Sequence, residues 1–264
     1  MATEESRQLN VEQARILQQA LTASSEELFQ LILTPQLELL PNLLKNPQLN
    51  EDHLLSLLKR RDLPEELLRS IYQRHREKLS HRLCLALVKN PVTPGTIIRS
   101  LLPLLRLFEL VELCFLPGAT PDQKLTAERE IILRLPTTPL GNKITLARRA
   151  TSTVVAELLR DGDARLVEVC LNSPRMKEVA LFQFINSAKS TAETISMIAR
   201  NSRWQQRPNL RLAILKNRRT PLIWFTLWLP NMSTADLRRL LAGRQLNPEQ
   251  KKLVVEQLQR RGLH

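Results

Sequence analysis

The sequence predicts an all-α protein in which helix pairs stack as a right-handed α-solenoid, and three observations carry this prediction. The segment Ala86–Pro94 returns further along the chain as Ala213–Pro221. Prolines stand at the ends of apolar segments with helical spacing, and no segment alternates apolar with polar residues as a half-buried strand would. Glycine is scarce, at 6 residues, and aromatic residues make up 4%, so composition favours helix over strand.

The internal repeat extends well beyond this one segment. Residues 44–137 align with residues 171–264 without a gap, so one constant offset relates the two copies. The matched pairs include Pro47 with Pro174, Ile71 with Ile198, Leu83 with Leu210, Pro103 with Pro230, and Pro121 with Pro248. These are turn residues and apolar core positions, which geometry restricts most, so the pattern is typical of a duplicated fold.

The duplication predicts how the chain is divided. We expect one continuous solenoid with an N-terminal helical cap (1–43), a first repeat unit (44–170) and a second, truncated unit (171–264). In this alignment residues 138–170 have no counterpart. The final amphipathic segment, Pro248 to Arg261, is then expected to close the solenoid, because a terminal repeat needs a polar outer face.

Capping residues predict where the first helices begin and end. Glu4–Leu21 has apolar residues close to helical spacing and predicts an amphipathic helix. Ser24, followed by two glutamates, predicts the start of a second helix, which ends at Thr34 and Pro35. A short third helix is expected to reach Lys45.

Turn residues repeat within the two units. We expect the hydroxyl of Thr93 to cap a helix whose first residue is Pro94. Asn90 tolerates the left-handed conformation that commonly ends a helix. Thr120 and Gln123 have the spacing of a capping box. Each of these expectations applies equally to the equivalent position of the second copy.

A shorter phrase recurs inside the units. Leu-Lys-Asn-Pro or a close variant stands at 44–49, 87–94, 171–176 and 215–221. This phrase resembles the leucine-rich-repeat-variant motif and, more broadly, HEAT-like α-solenoids, in which helix pairs stack into a curved rod. The resemblance spans about residues 44–262 and implies an architecture. The chain lacks the Cys-rich iron–sulfur segment of some proteins with that repeat, so no cluster or other cofactor is expected.

Charge is distributed unevenly along the chain. The net charge is +13, but residues 1–58 carry −5, residues 59–99 carry +6, and residues 100–199 are nearly neutral. Residues 200–264 hold 14 Lys and Arg against 3 Asp and Glu, which gives +11. The pattern indicates an acidic N-terminal region and a basic C-terminal one.

Basic residues are the candidate binding residues. Several occur as doublets, and a basic strip on one edge of a solenoid would bind an acidic protein or nucleic-acid phosphates. The other interpretation is a set of solvated faces that keep a Leu-rich rod soluble, although such faces normally mix both signs. The predicted partner-binding or nucleic-acid-binding residues are Arg203, Arg207, Arg211, Arg218, Arg219, Arg238 and Arg239.

Aromatic residues and cysteines are expected in the core. Trp224 and Trp228 lie four residues apart on one helix face, so core packing with Trp204 nearby is favoured over a tryptophan-lined groove. Such a groove would be similar to that of HEAT-like DNA glycosylases, but Asp236 is the one acid near it and no motif gives it that role. The three cysteines are widely spaced among apolar residues, as is typical of buried thiols.

Motifs for catalysis are not found in the sequence. The histidines, including His264, lack metal-ligand spacing, and no Gly-rich phosphate loop or nucleophile elbow is present. No apolar run approaches the roughly 20 residues that span a bilayer, and no signal peptide is visible, so we expect a cytoplasmic protein.

The sequence therefore predicts a class of function rather than a reaction. We expect a non-enzymatic scaffold that binds an acidic protein partner through its concave face or basic rim, with no metal, cofactor, membrane or small-molecule substrate. The alternative is a nucleic-acid-binding module with a basic groove, and a glycosylase-like hydrolase is a third hypothesis.

Overall fold

The computed structural model describes residues 15–16, 18–243 and 245–262, and every regular element in these ranges is helical. The prediction of an all-α chain is thus confirmed. Contacts between Cα atoms divide the chain into two compact units, one reaching Ile131 and the other beginning at Ile132. The predicted divisions after residues 43 and 170 concern the sequence repeat and stay a prediction.

The first unit begins with helix α1, which is described at residues 15–16 and 18–22. The other residues of the predicted helix Glu4–Leu21, namely 4–14 and 17, lie outside the described residues. The remaining helices are α2 (Ser25–Leu33), α3 (Leu40–Leu43), α4 (Glu51–Leu57), α5 (Glu65–His75), α6 (His81–Lys89), α7 (Gly95–Leu101), α8 (Leu107–Phe115) and α9 (Pro121–Arg134). The boundary between the units falls inside α9.

The second unit continues with helices of similar length. They are α10 (Leu140–Arg149), α11 (Ser152–Leu159), α12 (Ala164–Asn172), α13 (Glu178–Ile185), α14 (Ala192–Arg200), α15 (Pro208–Lys216), α16 (Leu222–Trp228), α17 (Thr234–Ala242) and α18 (Pro248–Gln259). Short 3-10 turns stand at Leu37–Leu39, Arg76–Lys78, Leu102–Leu104, Leu135–Thr137 and Leu229–Asn231.

Predicted capping boxes form where expected. The Ser24 hydroxyl accepts from the Glu27 amide, and the Glu27 carboxylate accepts from the Ser24 amide at 2.8 Å, so α2 begins as predicted. Thr120 and Gln123 exchange the same two bonds, at 3.2 and 2.7 Å, at the start of α9. Asn247 and Gln250 form the same capping box at the start of α18. Each box satisfies amides that the first helical turn leaves free.

Helices two apart in the sequence pack against each other within each unit. In the first unit α2 packs on α4 and α4 on α6. In the second, α10, α12 and α14 pack in succession, as do α11, α13, α15 and α17. The leucines, isoleucines and valines between them are almost fully buried, and each contributes roughly 1.5–3 kcal/mol relative to an exposed position.

Trp204 is buried in the core of the second unit, and Trp224 and Trp228 pack against that core half-buried, in line with the predicted core packing. Trp204 is only 3% exposed, and its Nε1 donates to the Leu171 carbonyl at 3.0 Å. The rings of Trp224 and Trp228 lie 5.1 Å apart and pack against a buried cluster around Phe225. The indole rings therefore stabilise the C-terminal helices.

Helix starts recur at the offset found in the sequence. Six helices of the first part of the chain begin at residues that the alignment pairs with the first residue of a helix in the second part. The pairs of first residues are Glu51 and Glu178, Glu65 and Ala192, His81 and Pro208, Gly95 and Leu222, Leu107 and Thr234, and Pro121 and Pro248.

The role expected for Asn90 was wrong. Its backbone is extended, with φ −76° and ψ 125°, and no non-glycine residue in the described ranges has a positive φ. The side-chain amide instead donates to the carbonyls of Leu58 at 2.9 Å and Arg60 at 2.7 Å. Asn217 is also extended and donates to Ile185 O. Asparagine is used here because its amide reaches carbonyls left free where an earlier helix ends.

The expected cap at Thr93 was also wrong. Its hydroxyl donates to the Leu87 carbonyl at 2.6 Å, and Pro94 itself occupies the N-cap position of α7. Thr220 donates to Ile214 O in the same way, and Pro221 is the N-cap of α16. The threonines are buried, so their hydroxyls close the preceding helix instead of opening the next one.

Candidate binding clefts

A cleft of about 530 Å³ opens in the first unit, and we call it the first cleft. It lies where the end of α4, one face of α6 and the loop after α8 meet. Arg82, Leu85, Ala86 and Lys89 line it from α6 at intervals of three and four residues. Such intervals place side chains on a single helix face, so α6 presents two apolar side chains between two basic ones to the cleft.

The floor of the first cleft is apolar. Leu58 lines it and is 5% exposed, while Leu55, Leu85 and Leu116 are half-buried. These three side chains keep part of their apolar surface in water. Removing that surface from water is favourable, so the floor can hold an apolar group of a ligand.

The rim of the first cleft is basic. Lys59, Arg61 and Arg82 are exposed and Lys89 is half-buried, and none of the described residues that line the cleft is an acid. Arg82 is paired from outside the cleft, 3.0 Å from Asp52. The described residues contain no ion-pair partner for the other three cations, so the rim carries an excess of positive charge.

A tight turn supports one side of this rim. The Ala119 amide donates to the Leu116 carbonyl at 3.2 Å, and Gly118 has φ +84°. A β-carbon at position 118 would lie 2.9 Å from both terminal nitrogens of Arg61. Glycine is therefore required for the backbone conformation, and a β-carbon here would also displace the Arg61 guanidinium.

The second unit contains a cleft of about 520 Å³, the second cleft. Lys216, Arg218, Arg219 and Gln245 line it together with the turn that follows α13, Asn186–Ala188. None of these described lining residues is an acid. The second cleft is polar, whereas the first has a leucine floor.

The two clefts form at equivalent positions of the repeat. The constant offset of the sequence alignment pairs Lys89 with Lys216 and Gly118 with Gln245. The rim residues differ, because Asn186 and Ala188 occupy the positions of Lys59 and Arg61. The turns differ as well, because Gly118 has a positive φ and Gln245 does not, so backbone and side-chain identity together decide what each cleft can bind.

Two of the predicted arginines lie in the second cleft. Arg218 is exposed, while the Arg219 guanidinium donates to the carbonyls of Ser187 at 2.9 Å and Ser190 at 3.1 Å. Arg219 therefore closes the turn after α13 and also adds positive charge to the cleft.

The other predicted arginines lie elsewhere. Arg203 donates to the Ser173 and Met176 carbonyls at 2.7 and 3.1 Å and lies 4.5 Å from the Trp204 ring centre. Arg211 donates to Gln205 O and lies 5.5 Å from the Trp228 ring centre. Their guanidinium groups join parts of the second unit.

Arg207, Arg238 and Arg239 do not line either cleft. Arg207 is the exposed N-cap residue of α15, and Arg238 is exposed on α17. Arg239 pairs with Asp236 at 3.3 Å. The structure thus brings two of the seven predicted residues together and leaves the other five outside the clefts.

Sequence reasoning missed the residues of the first cleft. These residues lie in the segment 59–99, which carries +6, but the predicted binding residues all lie in the C-terminal segment, where the net charge is larger. The residues missed are Lys59, Arg61, Arg82 and Lys89. A signal was present, since Lys89 aligns with Lys216 in the repeat.

Asp236 has a structural role at the start of α17. It accepts from the Ser233 hydroxyl at 2.7 Å, and its amide donates to the Ser233 hydroxyl oxygen at 3.1 Å. Together with Arg239 these groups complete a helix cap. Neither cleft includes Asp236 among its described lining residues.

Comparison with known proteins does not assign a family to this chain. Within the described residues no helix has the length and apolarity needed to cross a bilayer, and no three His, Cys, Asp or Glu side chains are grouped to hold a metal ion. No family model matches the sequence, and neither does any curated protein or solved structure.

Proposed function

We propose that the protein is a non-enzymatic scaffold that binds an acidic protein partner through its basic clefts. The observation that carries the proposal is that both clefts are lined by cations and by no described acid. A surface that is charged only for solubility mixes both signs. Two clefts of one sign at equivalent positions instead favour a partner of opposite charge, because complementary potentials speed association and exclude other partners.

The proposed architecture is a right-handed, HEAT-like α-solenoid of stacked helix pairs. Side-chain hydrogen bonds that span about one helix pair support it. Asn90 reaches back 32 residues to Leu58, and Trp224 reaches back 28 residues to Ser196. Repeats of 20–45 residues that contact only their neighbours are the basis of solenoids. The recurrent spacing therefore favours stacked pairs in each unit.

We further propose that the duplication covers more of the chain than residues 44–137. Helix α11 begins at Ser152, which the same offset pairs with Ser25, the first residue of α2. Buried Leu28 and Ile32 correspond to buried Val155 and Leu159. The N-terminal helices would then be the counterpart of residues 138–170 rather than a separate cap.

Binding of charged homopolymers tests the scaffold proposal. The fluorescence anisotropy of labelled poly-glutamate should rise as the protein is added, and this rise should be smaller at high salt. Labelled poly-lysine should not bind. The variant Lys89→Glu/Lys216→Glu, which changes one cation in each cleft, should lose most of this binding. The matched variant Arg99→Glu/Lys251→Glu has the same net charge with exposed changes outside both clefts and should retain it.

Two outcomes would contradict the proposal. The first is a poly-glutamate signal that stays at baseline at low salt. The second is an equal loss of binding in the cleft variant and the control variant, since binding would then follow net charge and not the clefts.

Nucleic-acid binding is the second candidate, and the second cleft favours it. Lys216, Arg218 and Arg219 surround a polar lining in the region of the chain that carries +11. Duplex and single-stranded probes should then bind with an affinity that falls steeply as salt rises. Tyr72 is the only tyrosine, so a site that stacks single-stranded bases is disfavoured.

A further inference from the structure

We propose that the first cleft binds an acidic peptide segment of the partner that inserts leucine-like side chains between flanking carboxylates. This inference rests on the proposed scaffold function and adds where the partner binds and what chemistry it has. It depends on the combination of a leucine floor with a cationic rim, which the second cleft does not repeat.

The floor selects for an apolar anchor. Leu55 and Leu85, on α4 and α6, are half-buried and line the cleft, and Ala86 lies beside them with little side chain to fill it. The cavity of about 530 Å³ has room for more than one aliphatic side chain. An anchor that fills a preformed cleft dominates binding energy at an interface.

The rim selects for negative charge next to that anchor. Lys59 and Arg61 line the cleft from the segment that follows α4, and Lys89 lines it from the last position of α6. A carboxylate that meets these cations close to a low-dielectric floor interacts more strongly than it does in open water. An acidic segment with apolar anchors complements both parts of the cleft.

A peptide fits this cleft better than a nucleic acid does. No described lining residue is aromatic, so bases find no side chain on which to stack. Phosphates would meet the rim, but they would leave the leucine floor in water. Only a ligand that carries both carboxylates and apolar groups uses every part of the surface.

The cleft is held in shape before any ligand arrives. Asn90 lines it and anchors the turn after α6 to the end of the preceding helix pair through Leu58 and Arg60. The carboxamide of Gln123 donates to Asn90 O at 2.8 Å from the other side. A site held by buried hydrogen bonds requires less ordering on binding.

Two peptides of equal charge test the inference. One labelled peptide carries leucines at helical spacing among glutamates, and the other has serine in place of each leucine. The protein should bind the leucine peptide about tenfold or more tightly than the serine peptide by fluorescence anisotropy, because one buried aliphatic anchor accounts for at least that factor.

Matched variants locate the anchor. Ala86→Arg places a long side chain over the floor, and Ala213→Arg makes the same change at the equivalent position of the second copy. Both alanines are half-buried on their helices, and both variants gain one positive charge. Ala86→Arg should abolish the leucine preference, whereas Ala213→Arg should keep it. Circular dichroism melting compares the folding of both variants with that of the parent.

A second pair of variants tests the rim. Lys59→Asn/Arg61→Ala gives the first cleft the residues that the second unit has at the equivalent positions, so the fold already accommodates them. This variant should weaken binding of the leucine peptide about tenfold. Arg99→Asn/Lys251→Ala, which loses the same charge at exposed positions outside both clefts, should leave binding of the leucine peptide unchanged.

The outcomes separate this inference from the proposed function. Equal affinity for both peptides, or a leucine preference that survives Ala86→Arg, would overturn the inference while poly-glutamate binding still supported a scaffold. Failure of every acidic probe would overturn both. Binding of duplex DNA that is lost on Ala86→Arg, with no binding of the leucine peptide, would assign the cleft to nucleic acid and also overturn the inference.

Discussion

The carboxamide of Gln123 donates a hydrogen bond to the carbonyl oxygen of Asn90 across 2.8 Å, although 33 residues separate the two. Gln123 is 1% exposed, donates also to Val88 O at 3.3 Å, and accepts from the Thr120 amide at 2.7 Å. Gln250, fully buried, is used in the same way. One side chain thus caps a helix and holds the turn that lines the first cleft.

Replacing this glutamine should destabilise the protein. Gln123→Ala removes the side-chain hydrogen bonds to the Asn90 and Val88 carbonyls and leaves the Thr120 amide without its acceptor, so the free energy of unfolding should fall by about 2 kcal/mol. Urea denaturation followed by circular dichroism measures the change. Gln259→Ala, on an exposed position of α18, should stay within about 0.5 kcal/mol of the parent. Equal stability of the two variants would show that the buried amide contributes nothing.

The turn at Gly118 should not tolerate a side chain. Gly118→Ala requires a left-handed alanine and forces the Arg61 guanidinium away from its present position, so it should cost about 1–2 kcal/mol. Gly141 provides the control, because it lies in α10 with no atom within 4 Å of a new β-carbon. Gly141→Ala should be neutral or stabilising by up to about 1 kcal/mol. Thermal melting of both variants makes the comparison, and a Gly118→Ala midpoint at or above that of Gly141→Ala would contradict it.

Arg203 should contribute to stability more than its neighbour Arg207. Arg203→Ala removes two hydrogen bonds to carbonyls and the contact with Trp204, which should lower the free energy of unfolding by about 1–2 kcal/mol. Arg207→Ala changes an exposed residue and should have little effect. Both variants lose one positive charge, so urea denaturation at equal ionic strength compares them directly. Equal midpoints would assign Arg203 to the solvated surface.

The cysteines should be unreactive until the chain unfolds. Burial raises the pKa of the Cys84 thiol to about 11 and the pKa of Cys114 and of Cys170 to about 12. The thiolate is the reactive form, so at about pH 8 a thiol reagent should label native protein far more slowly than urea-denatured protein. Mass spectrometry counts the labels, and rapid labelling of all three thiols in the native state would be inconsistent with their burial.

The same raised pKa values predict a loss of stability in alkali. The folded chain holds these thiol protons more tightly than the unfolded chain, in which a cysteine thiol has a pKa of about 8.5. The stabilisation is therefore present below about pH 8.5 and falls as pH rises toward the folded value of about 12 for Cys170. Urea midpoints measured across this range should fall less for Cys170→Ala than for the parent. An identical slope for both would exclude Cys170 as a source of the pH dependence.

Helix boundaries could be predicted because short-range chemistry decides them. Ser24, Thr120 and Asn247 cap helices as expected, since a capping side chain and the amides it satisfies lie within a few residues. Asn90 and Thr93 were assigned local roles in the same way, and those assignments were wrong. Asn90 bonds to carbonyls from an earlier helix pair, which no local pattern reveals.

The sequence by itself determined the helical class and the capping boxes that begin α2, α9 and α18, because propensity, capping and spacing act along the chain. Only the tertiary structure decided which cations share a cleft, since Lys59, Lys89 and the turn at Gly118 are brought together by packing between helices far apart in sequence. It also decided that Arg203 bonds to carbonyls while Arg218 faces a cleft, although both looked alike in a basic segment. The number of charged residues can be read from the sequence, but which charged side chains become neighbours depends on which apolar faces are buried together.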